Sequence, residues 1–184
     1  MPAGPADPRR IQLRPARIED AAGLHRYWPL PASQRYIDRT VSTLEDTRSH
    51  LAQHLQQRQS LLHVIECEGL VVGDIGGTFR SPHVLGGSTD LRDFSLGYSI
   101  DPEHWGRGIA TAAIGRFTAM LHEELGVRRI VAMVFSENTA SLRALGRNGY
   151  RLEGTERAAV IGRDGRWLDD CTLAHLPEDG PGTI

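Results

Sequence analysis

The chain has 184 residues, 40% of them apolar, with 21 Lys and Arg against 23 Asp and Glu and a formal net charge of −2. That length suits one domain with its own core, and the near-neutral charge excludes a broad basic face for a nucleic-acid backbone. The longest apolar runs, such as Leu61-Leu62 and Leu70-Val71-Val72, fall far short of the roughly 20 residues that cross a bilayer. No apolar stretch follows Arg9 and Arg10, so neither a membrane span nor a signal peptide is expected. A cytoplasmic protein with no membrane partner and no direct nucleic-acid partner is the expectation.

Residues 1–9 carry three prolines and no periodicity, and they read as a disordered leader. Residues 11–14 alternate apolar and polar as a half-buried strand does. A short helix is expected from Asp20 to Trp28, ended by Pro29 and Pro31. Ser42-Thr43-Leu44-Glu45 reads as a capping box, opening a helix to about Gln59 with Leu44, Leu51 and Leu55 on one face. Residues 61–66 and 70–76 are β-rich runs split by Cys67-Glu68-Gly69, a hairpin signal. Residues 80–92 are a loop, and 94–100 a further strand stopped by Asp101-Pro102. The clearest helix runs from about Gly108 to Leu125, with Gly126 placed as its C-terminal cap. Residues 129–135 are a continuous apolar strand, as a buried central one is. Asn138 caps a helix over 139–147, and strands over 150–161 and 167–176 flank an Asp164-Gly165 turn. The order is that of a mixed α/β (α+β) domain over residues 10–177, with a flexible tail over 178–184.

The chemistry concentrates where a strand ends in FSLGYSIDPEHWGRGIAT, residues 94–111. Gly106-Arg107-Gly108 opens the best helix, whose first amides point outward without intrahelical partners. Those amides and the positive helix end suit phosphate or pyrophosphate, though a purely structural tight turn reads equally well. No Gly-Lys-Ser/Thr follows for a Walker loop, and the dinucleotide fingerprint does not fit. After the next strand, Asn138 and Ser141 stand at a second helix start, where an ordinary N-cap and a solvated helix position are the plain alternatives. No metal is expected. Cys67 and Cys171 sit in strand-like runs as small buried side chains. His50 and His54 share a helix face without a third ligand and read as solvated, and His122-Glu123-Glu124 lacks the second histidine of a zinc hydrolase.

WGRGIAT resembles the acetyl-CoA pyrophosphate loop of the GNAT superfamily, written R/Q-x-x-G-x-G/A. Trp105 replaces its first residue, while Gly108 and Ala110 match its last two. With the preceding GYSIDPEH, the segment looks like the branch of ribosomal-protein-alanine N-acetyltransferases (RimJ/RimL-like). The run from Asn138 through Gly149-Tyr150 and the hairpin Gly165-Arg166-Trp167-Leu168-Asp169 are similar to that branch, so the resemblance covers roughly residues 11–176. It implies the GNAT fold, a mixed central sheet of about seven strands flanked by about four helices. It also implies acetyl-CoA as co-substrate. Tyr98, Ser99 and Ile100 would face the pantetheine arm and thioester, with an amide near Ile100 stabilising the oxyanion. Trp105, Gly106, Arg107, Gly108, Ile109, Ala110 and Thr111 would form the pyrophosphate loop. Asn138 would bond the cofactor arm, and Ser141 would stand where the thiolate leaves.

The chain departs from the family at one position. Many relatives carry Glu as the proton acceptor in E-x-G-Y, and this run begins with Ser95. Asp93, two residues earlier on the same strand face, is the substitute candidate beside the plainer reading of a solvated loop-end carboxylate. Glu103 and His104 lie in the turn, and no base is assigned. The expected activity is direct transfer of acetyl to a primary amine, most simply a protein N-terminal α-amine. A small-molecule amine is the near alternative, and a catalytically silent acyl-CoA-binding module the distant one. Pairing of two copies through the terminal hairpin is expected by analogy alone.

Overall fold

The computed structural model describes residues 10–180. Its seven strands form one mixed sheet in the order β1-β2-β3-β4-β5-β7-β6, with five helices, as expected of the GNAT fold. The chain is organised as two compact units, one of residues up to Gly76 with Tyr98–Ala113, the other of Gly77–Gly97 with residues from Ile114 on.

In the first unit β1 (Ile11–Pro15) lies antiparallel to β2 (Ser60–Cys67), Ile11 opposite Cys67 and Pro15 opposite His63. Glu68 (φ 52°) and Gly69 (φ 79°) turn the chain into β3 (Leu70–Arg80), the paired positive φ angles of a tight hairpin. A 3-10 turn at Ile18–Asp20, α1 (Ala21–His25), α2 (Pro31–Gln34) and α3 (Leu44–Gln56) precede β2. Leu24, Tyr27, Trp28, Val41, Leu51, Val64 and Val71 form one buried cluster, each large apolar side chain worth about 1.5–3 kcal/mol. The single turn α2 raises the helix count from about four to five; Pro31 occupies its first turn, where a missing N–H costs nothing. The box that opens α3 is shifted by one residue. Thr43 is the N-cap, accepting from the Asp46 amide at 3.1 Å while the Asp46 carboxylate accepts from the Thr43 amide at 2.8 Å. Ser42 and Glu45 are not its members.

The second unit carries the rest of the sheet. β4 (Arg92–Ile100) pairs in parallel with β5 (Val127–Phe135), Phe94 opposite Ile130 and Leu96 opposite Ala132. A parallel pair requires a crossover, and α4 (Ile109–Ala119) supplies it. Phe94 lies 5.9 Å from Phe117 of α4 and 5.1 Å, edge-on, from Phe79. α5 (Thr139–Gly146) leads to β6 (Arg151–Ile161) and β7 (Trp167–His175), the latter antiparallel to both β5 and β6.

Two strand and helix ends differ from expectation. β3 runs past Gly76 to Arg80: a Cβ at Gly77 (φ 156°) would collide with the Ser95 carbonyl, so this glycine permits close strand approach and does not end the strand. The helix expected to reach Leu125 leaves α geometry after Ala119. A π turn at Met120–Glu124 follows, with the Leu125 amide reaching the Met120 carbonyl at 3.2 Å. The expected leader, residues 1–9, and 181–184 of the expected tail lie outside the described residues. Asp179 is buried, and its carboxylate pairs with Arg151 at 2.7 Å.

Candidate active site

Pairing of β4 with β5 runs over Arg92–Leu96, and the last residues of β4, in the first unit, are held by other contacts. Asp101, 3% exposed, receives Arg26 on Oδ2 at 2.7 Å and the Glu103 amide on Oδ1 at 3.1 Å, capping a 3-10 turn at Pro102–His104. Trp105 donates its indole N–H to the Ile100 carbonyl at 2.7 Å. It therefore pins the turn, and its ring stays half exposed. Gly106 (φ 73°) and Gly108 (φ 77°) take the left-handed backbone that favours glycine, and a Cβ at Gly106 would meet nothing within 4 Å.

The first helical bond of α4 runs from the Ala112 amide to the Gly108 carbonyl at 3.0 Å. The amides of Ile109, Ala110 and Thr111 thus precede that ladder at the positive end of an 11-residue helix. Ile109 is buried and offers only its backbone, while Arg107 is exposed. An exposed glycine loop, the first amides of a helix and the exposed Arg107 suit a pyrophosphate.

Against the same strand end lies a group that sequence reasoning missed. Asp74 of β3 is 6% exposed, and its Oδ1 accepts from Tyr27 Oη, Trp28 Nε1 and Ser99 Oγ at 2.7, 2.8 and 2.5 Å. Burial, then the Asp74 charge, pushes the Tyr27 hydroxyl above its ordinary pKa. Arg39 stacks 3.5 Å over the Trp28 ring, and burial lowers its pKa. The signal was present in LVVGDI, a single carboxylate inside an apolar strand. His50 and His54, read as a solvated face, are half-buried instead. His50 packs edge-on to Trp28 at 6.3 Å, and burial lowers the pKa of both.

The second unit holds the remaining candidates. Asp93 is not a freely solvated loop-end carboxylate: its side chain is 15% exposed and pairs with Arg128 at 2.8 Å. It lines a cavity of about 690 Å³, with Arg80, His83, Val84, Phe94 and Val131, against the 81–89 loop. Ser95 sits on β4 opposite Val131. Asn138 caps α5 as expected, its Oδ1 accepting the Ser141 amide at 3.2 Å; the donor end of that amide is the half the cap does not use. His122 and His175 meet at 3.0 Å, a contact no spacing rule reveals.

The family model for the acetyltransferase (GNAT) domain matches residues 10–151. An uncharacterized N-acetyltransferase, p20, of Bacillus licheniformis is 27% identical over 179 residues, covering 94% of this chain and 96% of that protein. Another, YoaA of Bacillus subtilis, is 41% identical over 66 residues, which is 36% of this chain and 37% of its own. Mycobacterium smegmatis RimJ, solved in complex with CoA-disulfide, superposes with a TM-score of 0.81 at 27% identity, covering 98% of this chain and 89% of that one. A matched domain model, a full-length relative and a superposable solved structure lead to one conclusion: the chain belongs to the GNAT family and is an N-acetyltransferase.

Proposed function

We propose that the protein transfers acetyl from acetyl-CoA to a protein N-terminal α-amine. The observation that carries the cofactor half is the pair of left-handed glycines leading into the amides of Ile109, Ala110 and Thr111. Tyr98, Ser99 and Ile100 lie along the arm, and Asn138 offers its Nδ2 to it. The neutral amine attacks the thioester carbonyl and forms a C–N bond. Charge gathers on the carbonyl oxygen, within reach of an amide at the end of β4. Collapse breaks the C–S bond, the Ser141 hydroxyl protonates the departing thiolate, and the proton shed by the amine nitrogen passes through solvent to restore that hydroxyl.

The acceptor half rests on position 95. Only a neutral amine attacks, and a lysine side chain has an ordinary pKa of about 10.4 against about 7.7–8.0 for an α-amine. Deprotonating lysine at neutral pH therefore costs about 3.4 kcal/mol more. Ser95 supplies no carboxylate to offset that cost, and the Asp93 carboxylate is already engaged by Arg128. α-Amines are accordingly the better substrates. Support from outside the chain is the likeness to RimJ.

Two measurements test this. Gly108→Asp places a side chain and a like charge in the loop, so calorimetry should show CoA binding lost in a folded variant; intact affinity would remove the loop assignment. Thiol release at pH 7 should be faster with a free N-terminus and acetylated lysine than with a blocked N-terminus and free lysine. The reverse order would remove the α-amine assignment.

A further inference from the structure

The last residues of β4 present a mechanical problem. They follow the point where pairing to β5 stops at Leu96, yet by the reading above they must hold the acyl group still. A strand end with one neighbour moves more than one with two. What fixes it comes from the β3 side: the Asp101 amide donates to the Val72 carbonyl at 2.9 Å, and Ser99 Oγ donates to Asp74. A Cβ at Gly73 would stand 2.7 Å from the Ser99 carbonyl, so the two strands are in close contact here.

Asp74 is an unusual choice for a fastener. A buried carboxylate is costly unless its oxygens are well bonded, and three donors from α1's end and β4 converge on one oxygen. The geometry points to Asp74 as a positioning residue for acyl transfer: through the Ser99 hydroxyl it sets the end of β4 against which the thioester lies. Tyr27 and Trp28 are the donors that keep the carboxylate satisfied, and of the three donors Ser99 is the one that belongs to the cofactor strand. Three donors occupy its Oδ1, so its part is to hold the strand end. The proposal rests on the functional reading above.

The test compares variants by kcat, the acetyl-CoA KM, CoA affinity and Tm. Ser99→Ala cuts the link to β4 alone and should lower kcat about tenfold, because near-attack geometry is lost, with CoA affinity within about threefold since the pyrophosphate loop is untouched. Ser99→Thr restores the hydroxyl and should recover most of that loss. Asp74→Asn should resemble Ser99→Ala, and the double variant should be little worse than either single one. Tyr27→Phe removes a donor that does not reach β4; it should lower Tm and leave kcat unchanged. Wild-type kcat in Ser99→Ala, or an equal loss in folded Tyr27→Phe, overturns the positioning role. A wild-type protein that neither binds CoA nor releases thiol overturns the functional reading and this proposal together.

Discussion

Ser141 occupies the third position of α5, where its amide closes the Asn138 cap and its hydroxyl stands at the positive end of the helix. That placement suits protonation of a thiolate, since the helix end stabilises the developing anion while the hydroxyl delivers the proton. Ser141→Ala keeps the cap, which uses only the backbone, so it separates chemistry from folding. Turnover should fall about tenfold or more with the acetyl-CoA KM within about threefold, the pattern of an interaction made in the transition state. Steady-state thiol release measures both; unchanged turnover with rate-limiting chemistry would leave Ser141 a helix residue. Asn138→Ala would be a poorer probe because it removes the cap itself, at about 1 kcal/mol.

Among the elements, α3 shows how one residue of register changes a prediction. Both Ser42 and Thr43 are good N-caps, and each has an acidic residue three positions on, Glu45 or Asp46. Starting at Thr43 keeps Leu51 wholly buried, and the core contact selects the frame. Thr43→Ala should therefore cost about 1 kcal/mol and Ser42→Ala only a few tenths. Denaturant midpoints of the two variants decide it, and equal losses would contradict the cap. β6 shows a different logic. It is an edge strand exposed on nearly every residue, and Arg151, Glu153, Glu156 and Arg157 along it discourage pairing with foreign strands. Glu153 also binds Arg129, which lowers the pKa of the carboxyl.

For the whole molecule, histidines set the response to mild acid. Burial lowers the pKa of His50, His54, His63 and His175, aided at His175 by His122 and at His50 and His54 by Arg39. A group whose folded pKa lies below its unfolded value of about 6.5 resists protonation only in the folded state. Below that pH the unfolded chain binds more protons, so stability is full above about pH 6.5 and falls as pH drops beneath it. Burial raises the pKa of Asp170, while at Asp20 the opposing effect of burial is outweighed by the bonds from Arg14 and the Arg17 amide, for a net lowering. Melting temperatures should accordingly decline from pH 7 to pH 5.5. His175→Gln should flatten the decline; a flat wild-type profile over that range would contradict it.

Periodicity and turn chemistry alone determined the order of the elements, α2 excepted. Ile109, Ala113, Ile114 and Phe117 recur at helical spacing, residues 130–135 are continuously apolar, and Glu68-Gly69 and Gly165 take positive φ. The loop proposed for the cofactor was legible for the same reason, since a glycine pair followed at once by a helix is a local pattern that presents the first helical amides. Only the tertiary structure decided what depends on neighbours distant in sequence. Asp74 gathers partners 25, 46 and 47 positions away, Asp93 finds Arg128, and His122 finds His175. A single buried polar side chain carries no period, and its partner is chosen by which strands and helices lie beside it. Local sequence therefore specifies where backbone chemistry is offered, while packing specifies which side chains are held ready to use it.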